Sequence, residues 1–184
     1  MIQGQGKLEV AVEFKLDEAV EVLERTPEVM NALLRGRSDV WLHCRKSPES
    51  FSPLDVIGHL IHADLTDWIP RARQILDGDG ERAFDPFDRF DFKALIAGKT
   101  VEMLLDEFAM ARGESLLTLR GFGIGARRFE MRGTHPELGA VTLRNLLATW
   151  VVHDLGHIAQ VVKTMSSAYG EAVGPWRAYL SILQ

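Results

Sequence analysis

Residues 142–162 place one narrow polar line inside an otherwise apolar segment, and this feature restricts the fold more than any other. Apolar residues recur there at spacings of three and four, which is typical of an α-helix. A polar line with apolar flanks has to find partners inside the protein, because burying it unpaired is costly. The segment therefore requires other helices packed around it. The polar line consists of Thr149, His153, His157 and Gln160.

His153 and His157 are the residues of this line that can bind a metal ion. At about 100° per residue, side chains four positions apart lie about 40° apart on one face of a helix. Two imidazoles in that arrangement can coordinate one ion from the same side. Hydrogen-bonded core histidines are the alternative that the spacing alone leaves open. Asp154 is either a carboxylate that orients one of the imidazoles or a solvated charge.

A second pair of histidines lies in the segment that begins at Ser52. Ser52, Pro53 and Asp55 form the clearest helix start in the chain: a capping residue, a proline at the first position and an acid three residues after the cap. His59 and His62 follow at a three-residue spacing and share one side of that helix. If the two helices face each other, one histidine of this pair completes a three-histidine site with an open coordination position.

The remaining pattern predicts an all-α protein, a four-helix bundle with short additional helices. Residues 1–15 are expected to form an N-terminal arm and residues 16–184 one helical bundle domain. Strand-like alternation is weak and confined to residues 8–14. Proline and glycine positions help to set the expected bounds of the long helices. We expect a helix from Asp17 to Gly36 interrupted at Thr26-Pro27-Glu28, one from Ser52 to Leu76 kinked or broken at Pro70, one from Thr100 to Leu119, one from Thr142 to Gly170, and a short one from Gly174.

Composition and charge exclude several classes of function. The net charge is −5 and the basic residues are scattered, whereas nucleic-acid and anionic-membrane binders cluster them. No apolar run approaches the roughly 20 residues of a membrane span, and a cleavable signal pattern is missing, so a cytoplasmic protein is expected. Cys44, the only cysteine, is expected to pack as a small core hydrophobe. Gly121, Gly123 and Gly125 lack the strand-to-helix context of a phosphate-binding loop.

Residues 148–160, ATWVVHDLGHIAQ, resemble the metal-binding helix of the DinB-like, or YfiT-like, superfamily. The resemblance covers most of the chain, from about Leu16 to the end. It implies an up-down-down-up bundle, often dimeric, in which His59, His153 and His157 are the metal ligands. Other segments fit the superfamily in the same order, namely Thr26-Pro27, Ser52-Pro53, Gly58-His59-Leu60 and residues 133–139.

Two further histidines match no ligand position of that superfamily. His62 is expected to be a core residue rather than a neighbour of the site or an alternate ligand. His135 precedes the fourth helix and is expected to anchor a loop rather than to reach the mouth of the metal pocket.

A three-histidine site implies a divalent cofactor, with zinc or nickel favoured and iron or manganese as alternatives. The resemblance implies hydrolases and thiol-dependent transferases or isomerases. Two enzyme hypotheses follow: hydrolysis by a metal-activated water, or attack of a metal-activated low-molecular-weight thiol on an electrophile. Asp154, Glu107 and Glu114 are the candidate general bases.

Two hypotheses without catalysis also stay open. The domain could be a non-catalytic metal- or ligand-binding stress-response bundle, or a purely structural interaction module. The expected partners are a small-molecule substrate, a low-molecular-weight thiol and a second copy of the chain in a homodimer, with neither nucleic acid nor membrane.

Overall fold

The computed structural model describes residues 13–184. Most of the expected N-terminal arm, with all but the last two of the strand-like residues 8–14, lies outside the described residues. Residues 13–15 lead without regular structure into the first helix. The α-helices are α1 (Leu16–Leu34), α2 (Asp39–His43), α3 (Pro53–Thr66), α4 (Trp68–Leu76), α5 (Phe92–Ile96), α6 (Val101–Gly121) and α7 (Leu143–Ser167). The other elements are β1 (Arg132–His135), β2 (Gly139–Thr142) and the 3-10 helices Ala126–Glu130, Gly174–Tyr179 and Ser181–Leu183.

The long helices α1, α3, α6 and α7 pack as a four-helix bundle, with α4 continuing α3. Because α1 and α3 each contact both α6 and α7, the order around the bundle is α1, α6, α3, α7. Two apolar clusters fill its core, one after the other along the bundle axis. α1 and α7 run from the second cluster to the first, and α3 and α6 run the opposite way, which gives the predicted up-down-down-up topology. The first cluster includes Met30, Leu60, Leu104 and Val161, and the second includes Leu23, Ala63, Leu116 and Leu147.

α1 passes through Pro27 without ending, so the interruption predicted at Thr26-Pro27-Glu28 is wrong. Proline has no N–H to donate to the carbonyl four residues earlier, which leaves the oxygen of Leu23 without its usual helical partner. Arg112 of α6 donates to that oxygen from Nη1 at 2.8 Å. A side chain of the neighbouring helix thereby replaces the missing backbone hydrogen bond, and α1 stays continuous.

The second long helical unit breaks at Asp67 and not at Pro70. The ring of Pro70 conflicts with a helical carbonyl four residues earlier, at Thr66. The chain leaves helical geometry at Asp67, with φ −114° and ψ −66°, so that Pro70 lies in the first turn of α4 and needs no N–H partner there. The start of α3 is as predicted: Ser52 Oγ accepts the N–H of Asp55, whose carboxylate accepts the N–H of Ser52.

The third and fourth long helices begin at the expected residues. Thr100 caps α6 by accepting the N–H of Met103, and Thr142 caps α7 through Asn145. α7 ends at Ser167, before the predicted Gly170, and the last expected helix forms as 3-10 turns. Across residues 13–184, no helix combines the length and the apolarity of a membrane span.

A short β-hairpin precedes α7, and the sequence pattern does not predict it because each strand has only four residues and no apolar alternation. β1 and β2 pair antiparallel with His135 opposite Gly139. The Nδ1 of His135 accepts the N–H groups of Glu137 at 3.1 Å and Leu138 at 3.2 Å. The role predicted for His135, anchoring a loop, is therefore confirmed.

Two short helices that the sequence does not predict, α2 and α5, pack against α3. α5 approaches α3 at Gly58, where a Cβ atom would lie 2.4 Å from Ile96 Cγ2 and 2.9 Å from Phe92 Cδ2. Only glycine fits this contact without a displacement of the side chains of Ile96 and Phe92. The close approach places Phe92 beside His59, the next residue of α3.

Candidate metal centre

Three histidines meet between α3 and α7. His59 projects from α3, and His153 and His157 project from successive turns of α7. The Nε2 of His153 lies 3.1 Å from the Nε2 of His59 and 3.0 Å from that of His157. Nitrogens at about 2.0–2.1 Å from one tetrahedral ion are about 3.3–3.4 Å apart, close to these separations. The structure thus brings the three predicted ligands together, and their donor atoms fit one ion. We call these residues the histidine cluster.

In each imidazole, the hydrogen bond made by Nδ1 determines whether Nε2, the nitrogen that faces the other histidines, keeps its lone pair. The Nδ1 of His157 lies 2.8 Å from Oε1 of Gln160, so Nδ1–H donates to the amide and Nε2 keeps its lone pair. The Nδ1 of His153 lies 3.7 Å from Oδ1 of Asp154, and both atoms are buried with no hydrogen-bond partner among the described residues. If His153 also carries its proton on Nδ1, two lone pairs face each other at 3.0 Å. A cation between them satisfies both.

Burial keeps two of the three imidazoles uncharged. Burial, together with repulsion from His157 and His153, lowers the pKa of His59 to about 3. Burial and the proximity of His153 likewise lower the pKa of His157 to about 4. Both imidazoles are therefore neutral near pH 7, and neutral imidazole is the form that binds a metal ion.

Aromatic rings surround the cluster on several sides. Phe51 packs on His59 with ring centroids 5.6 Å apart, and Phe87 packs on the same ring at 5.7 Å. Trp68 meets His153 edge-on at 5.1 Å. These rings exclude water from much of the surface of the imidazoles and lower the local dielectric, which strengthens any electrostatic interaction there.

His62 lies beside the cluster without joining it. Its ring stacks on Phe87 at 4.9 Å, it is half-buried, and its nitrogens are outside the group of converging donor atoms. The prediction that His62 is a core residue is therefore wrong, since the residue supports an aromatic wall of the site instead.

A second polar group is buried next to the histidine cluster, and sequence reasoning missed most of it. Arg112 of α6 donates to both carboxylate oxygens of Asp64, at 2.9 and 3.1 Å, and to Oδ2 of Asp154 at 2.5 Å. The three side chains are at most 2% exposed. We call them the arginine cluster. The signal was present in the sequence, because Arg112 lies four residues after Phe108 and four before Leu116, on the apolar face of α6.

Charge and burial act against each other in the arginine cluster. Burial raises the pKa of Asp64 to about 6, although Arg112 acts to lower it. Burial acts to raise the pKa of Asp154 as well, but the contacts with His153, Arg112 and Thr26 outweigh it and the pKa falls below its ordinary value. Asp154 is fully buried, so its alternative reading as a solvated charge is wrong.

The other candidates from the sequence lie outside the centre. Glu107 pairs with Lys99 at 2.6 Å, and Glu114 is exposed on α6. Thr149 is exposed, although it belongs to the polar line of α7. Cys44 is half-buried rather than part of the core that was predicted for it, and its Sγ faces the carbonyl oxygens of Trp41 and Thr164.

Comparisons with known proteins agree with this architecture. A family model described as the DinB superfamily matches residues 22–161. One similar solved structure is YfiT from Bacillus subtilis, described as a probable metal-dependent hydrolase with an unusual four-helix bundle topology. It shares 23% sequence identity with this chain at a TM-score of 0.69, and the match covers 86% of this chain and 91% of YfiT. No curated protein matches the sequence. Because the family match spans most of the chain and includes all three clustered histidines, the chain belongs to the DinB superfamily.

Proposed function

We propose that His59, His153 and His157 bind one divalent metal ion, and that the protein is a metal-dependent hydrolase of a small molecule. The observation that carries the proposal is the convergence of the three Nε2 atoms. Three protein ligands leave a coordination position for water or substrate, as in catalytic rather than structural metal sites. When bound, such an ion polarises an ester or amide carbonyl and lowers the pKa of a coordinated water.

The donor set favours one strongly charged ion. Within residues 13–184, the group of converging donors at this place contains three histidines and no carboxylate. Neutral ligands leave the charge of the ion uncompensated, and the absence of a bridging carboxylate from the group argues against a two-metal site. Imidazole nitrogen suits zinc and nickel, which are the metals that we propose.

The residues around the cluster hold the donors and limit the entry of water. Gln160 fixes the ring of His157 through Nδ1, and Phe51 and Trp68 pack on the other two rings. The centre is not sealed, because the side chain of His153 is 22% exposed. We propose that a small substrate approaches the donors from this exposed side of His153. The description of YfiT as a hydrolase supports hydrolysis as the reaction.

Elemental analysis of the purified protein, followed by metal titration of the chelated protein, tests the metal site. We expect about one ion per chain and an affinity loss of at least about 100-fold in His153→Ala, because two imidazoles hold an ion poorly. A ligand present at 100 times its Kd stabilises the fold by about 2.7 kcal/mol, so zinc should raise the Tm. His62→Ala is the matched control and should keep the ion. An unchanged metal content in His153→Ala contradicts the assignment.

A panel of small esters and amides then tests the reaction. We expect turnover that requires the ion and is lost in His153→Ala but kept in His43→Ala, since His43 is an exposed histidine of α2. Each assay is repeated with a low-molecular-weight thiol and an electrophile, and thiol consumption in place of hydrolysis shows a transferase. Metal binding without turnover in either assay assigns the protein to the non-catalytic class.

A further inference from the structure

Two buried polar atoms beside the metal centre lack partners, and they lie next to each other. Oδ1 of Asp154 and Nδ1 of His153 are 3.7 Å apart, and neither makes a hydrogen bond to another group among residues 13–184, although the hydroxyl of Thr26 also lies near the carboxylate. Buried polar atoms are nearly always hydrogen-bonded, because an unpaired one costs the desolvation of the group. Closing the gap to a charge-assisted hydrogen bond of about 2.7–2.9 Å satisfies both atoms at once.

The hydrogen bond from Arg112 occupies one carboxylate oxygen of Asp154 and leaves the other free to bond His153. Its Nη1 holds Oδ2 of Asp154 at 2.5 Å and also donates to the carbonyl oxygen of Leu23. The guanidinium is itself fixed by two hydrogen bonds to Asp64. With Oδ2 taken, Oδ1 is the acceptor that remains on the side of His153. The carboxylate is thus held on α7 by a side chain that crosses from α6.

We propose that Asp154, held by Arg112, is a positioning residue that fixes His153 in the tautomer with the proton on Nδ1. In that tautomer the lone pair of His153 is on Nε2 and points at the ion-binding position. The inference rests on the proposed metal site and names the residues that prepare one of its three ligands. Carboxylates that hold the outer nitrogen of a metal-binding histidine raise its basicity and fix its orientation.

Asp64 provides a matched comparison for Asp154. Both are buried carboxylates bound to the same guanidinium, but both oxygens of Asp64 are occupied by Arg112. Of the two, only Asp154 has a carboxylate oxygen within 4 Å of a ring nitrogen of the histidine cluster. Losing either carboxylate removes one partner of Arg112, whereas only the loss of Asp154 removes the carboxylate oxygen beside Nδ1 of His153.

The effect of Asp154→Asn follows from Arg112. Because Nη1 requires an acceptor, the amide oxygen of the new side chain faces Arg112 and the NH2 group faces His153. The NH2 group donates to Nδ1 and moves the imidazole proton to Nε2, where it blocks the metal-binding lone pair. We therefore expect Asp154→Asn to weaken zinc binding about 10- to 100-fold, and Asp64→Asn to change it less than about threefold.

The experiment combines zinc titration of Asp154→Asn and Asp64→Asn with 15N NMR of the histidine rings in the chelated proteins. We expect the Nδ1–H tautomer of His153 in the wild type and in Asp64→Asn, and the Nε2–H tautomer in Asp154→Asn. The wild-type spectrum needs no variant and decides the question even if the variants fold poorly. An Nε2–H tautomer in the wild type, or equal affinity losses in the two variants, overturns the inference. A wild type that binds neither zinc nor nickel overturns the proposed function, while the tautomer still tests the role of Asp154.

Discussion

The histidine cluster and the arginine cluster are adjacent polar groups in one bundle, and they are built in opposite ways. In the arginine cluster, Arg112 makes four hydrogen bonds to two carboxylates and a backbone carbonyl, and almost nothing is exposed. In the histidine cluster, the Nε2 atoms have only one another as polar neighbours among the described residues, and His153 is partly exposed. A closed polar group holds elements together, whereas an open one is available to a ligand.

The two clusters also differ in how many helices they join. Arg112 projects from α6 and binds groups of α1, α3 and α7, so it links all four long helices. The histidine cluster joins only α3 and α7. Besides the direct approach of Asp154 to His153, the clusters are linked by Trp150, which packs on the guanidinium of Arg112 and stacks on Trp68, a neighbour of His153. This difference predicts that stability depends on the arginine cluster and ligand binding on the histidine cluster.

Replacing Arg112 with methionine should have the largest effect on stability. The variant leaves Asp64 and Asp154 buried without their counterion and frees the carbonyl oxygen of Leu23 in α1. Removing one partner of a buried ion pair costs about 3–5 kcal/mol, which is a large part of the stability of a domain this size. Denaturant unfolding of the chelated protein measures the loss.

The triple variant Arg112→Met, Asp64→Leu and Asp154→Leu controls for the buried charges. It removes all charges together, and apolar replacement of a whole buried ionic group is often neutral or stabilising. We expect the triple variant to recover most of the stability lost in Arg112→Met. A triple variant as unstable as the single one would show that the hydrogen bond to Leu23 or the packing of Arg112, and not the unpaired charge, causes the loss.

The contrast between the clusters also explains what the sequence could and could not predict. His153 and His157 were singled out because metal ligands come from few residue types and their spacing fixes a common face, whereas the choice of His59 over His62 came from the superfamily resemblance. The helix starts at Ser52 and Thr142 were found because capping depends on residues within one turn. Such features are local, and a single sequence contains them.

The features that were missed depend on contacts between distant parts of the chain. Pro27 would break an isolated helix. Here Arg112, far away in sequence, donates the hydrogen bond to Leu23 that the missing N–H of Pro27 cannot. The short helix α5 forms against Gly58, and the hairpin before α7 packs Gly133 against Phe84 at a spacing that excludes a side chain. Neither contact can be read from local spacing.

Acidification of the metal-free protein should have an intermediate effect and should act through the histidine cluster. The folded pKa values of His59 and His157 are about 3 and about 4, below the ordinary 6.5. At pH values between the folded pKa values and 6.5, the unfolded chain binds protons that the folded protein excludes. The free energy of unfolding therefore decreases as the pH falls below 6.5. Each excluded proton contributes up to about 1.4 kcal/mol per pH unit. Unfolding of the chelated protein at a series of pH values measures the slope.

His59→Leu isolates this contribution. Asp64 acts in the opposite direction, since its raised pKa makes the folded state bind a proton more readily than the unfolded chain does. Asp64 is present in both proteins, so the difference between their slopes belongs to the histidines. We expect a shallower loss of stability with acid in His59→Leu. Identical slopes would contradict the low pKa of His59.

The smallest effect is expected for His153→Ala in the metal-free protein. The side chain of His153 is 22% exposed, and Asp154 stays bound to Arg112 when that side chain is removed. The Nε2 atoms of His59 and His157 lose a nitrogen that lies within about 3 Å of each of them. We expect a loss of about 1–2 kcal/mol in unfolding free energy, from lost packing on Trp68 and from the partner that Oδ1 of Asp154 loses. The same variant is expected to lose most of its zinc affinity, so one substitution separates binding from stability. If metal-free His153→Ala is destabilised as strongly as Arg112→Met, the histidine cluster holds the bundle together and the distinction between the two clusters fails.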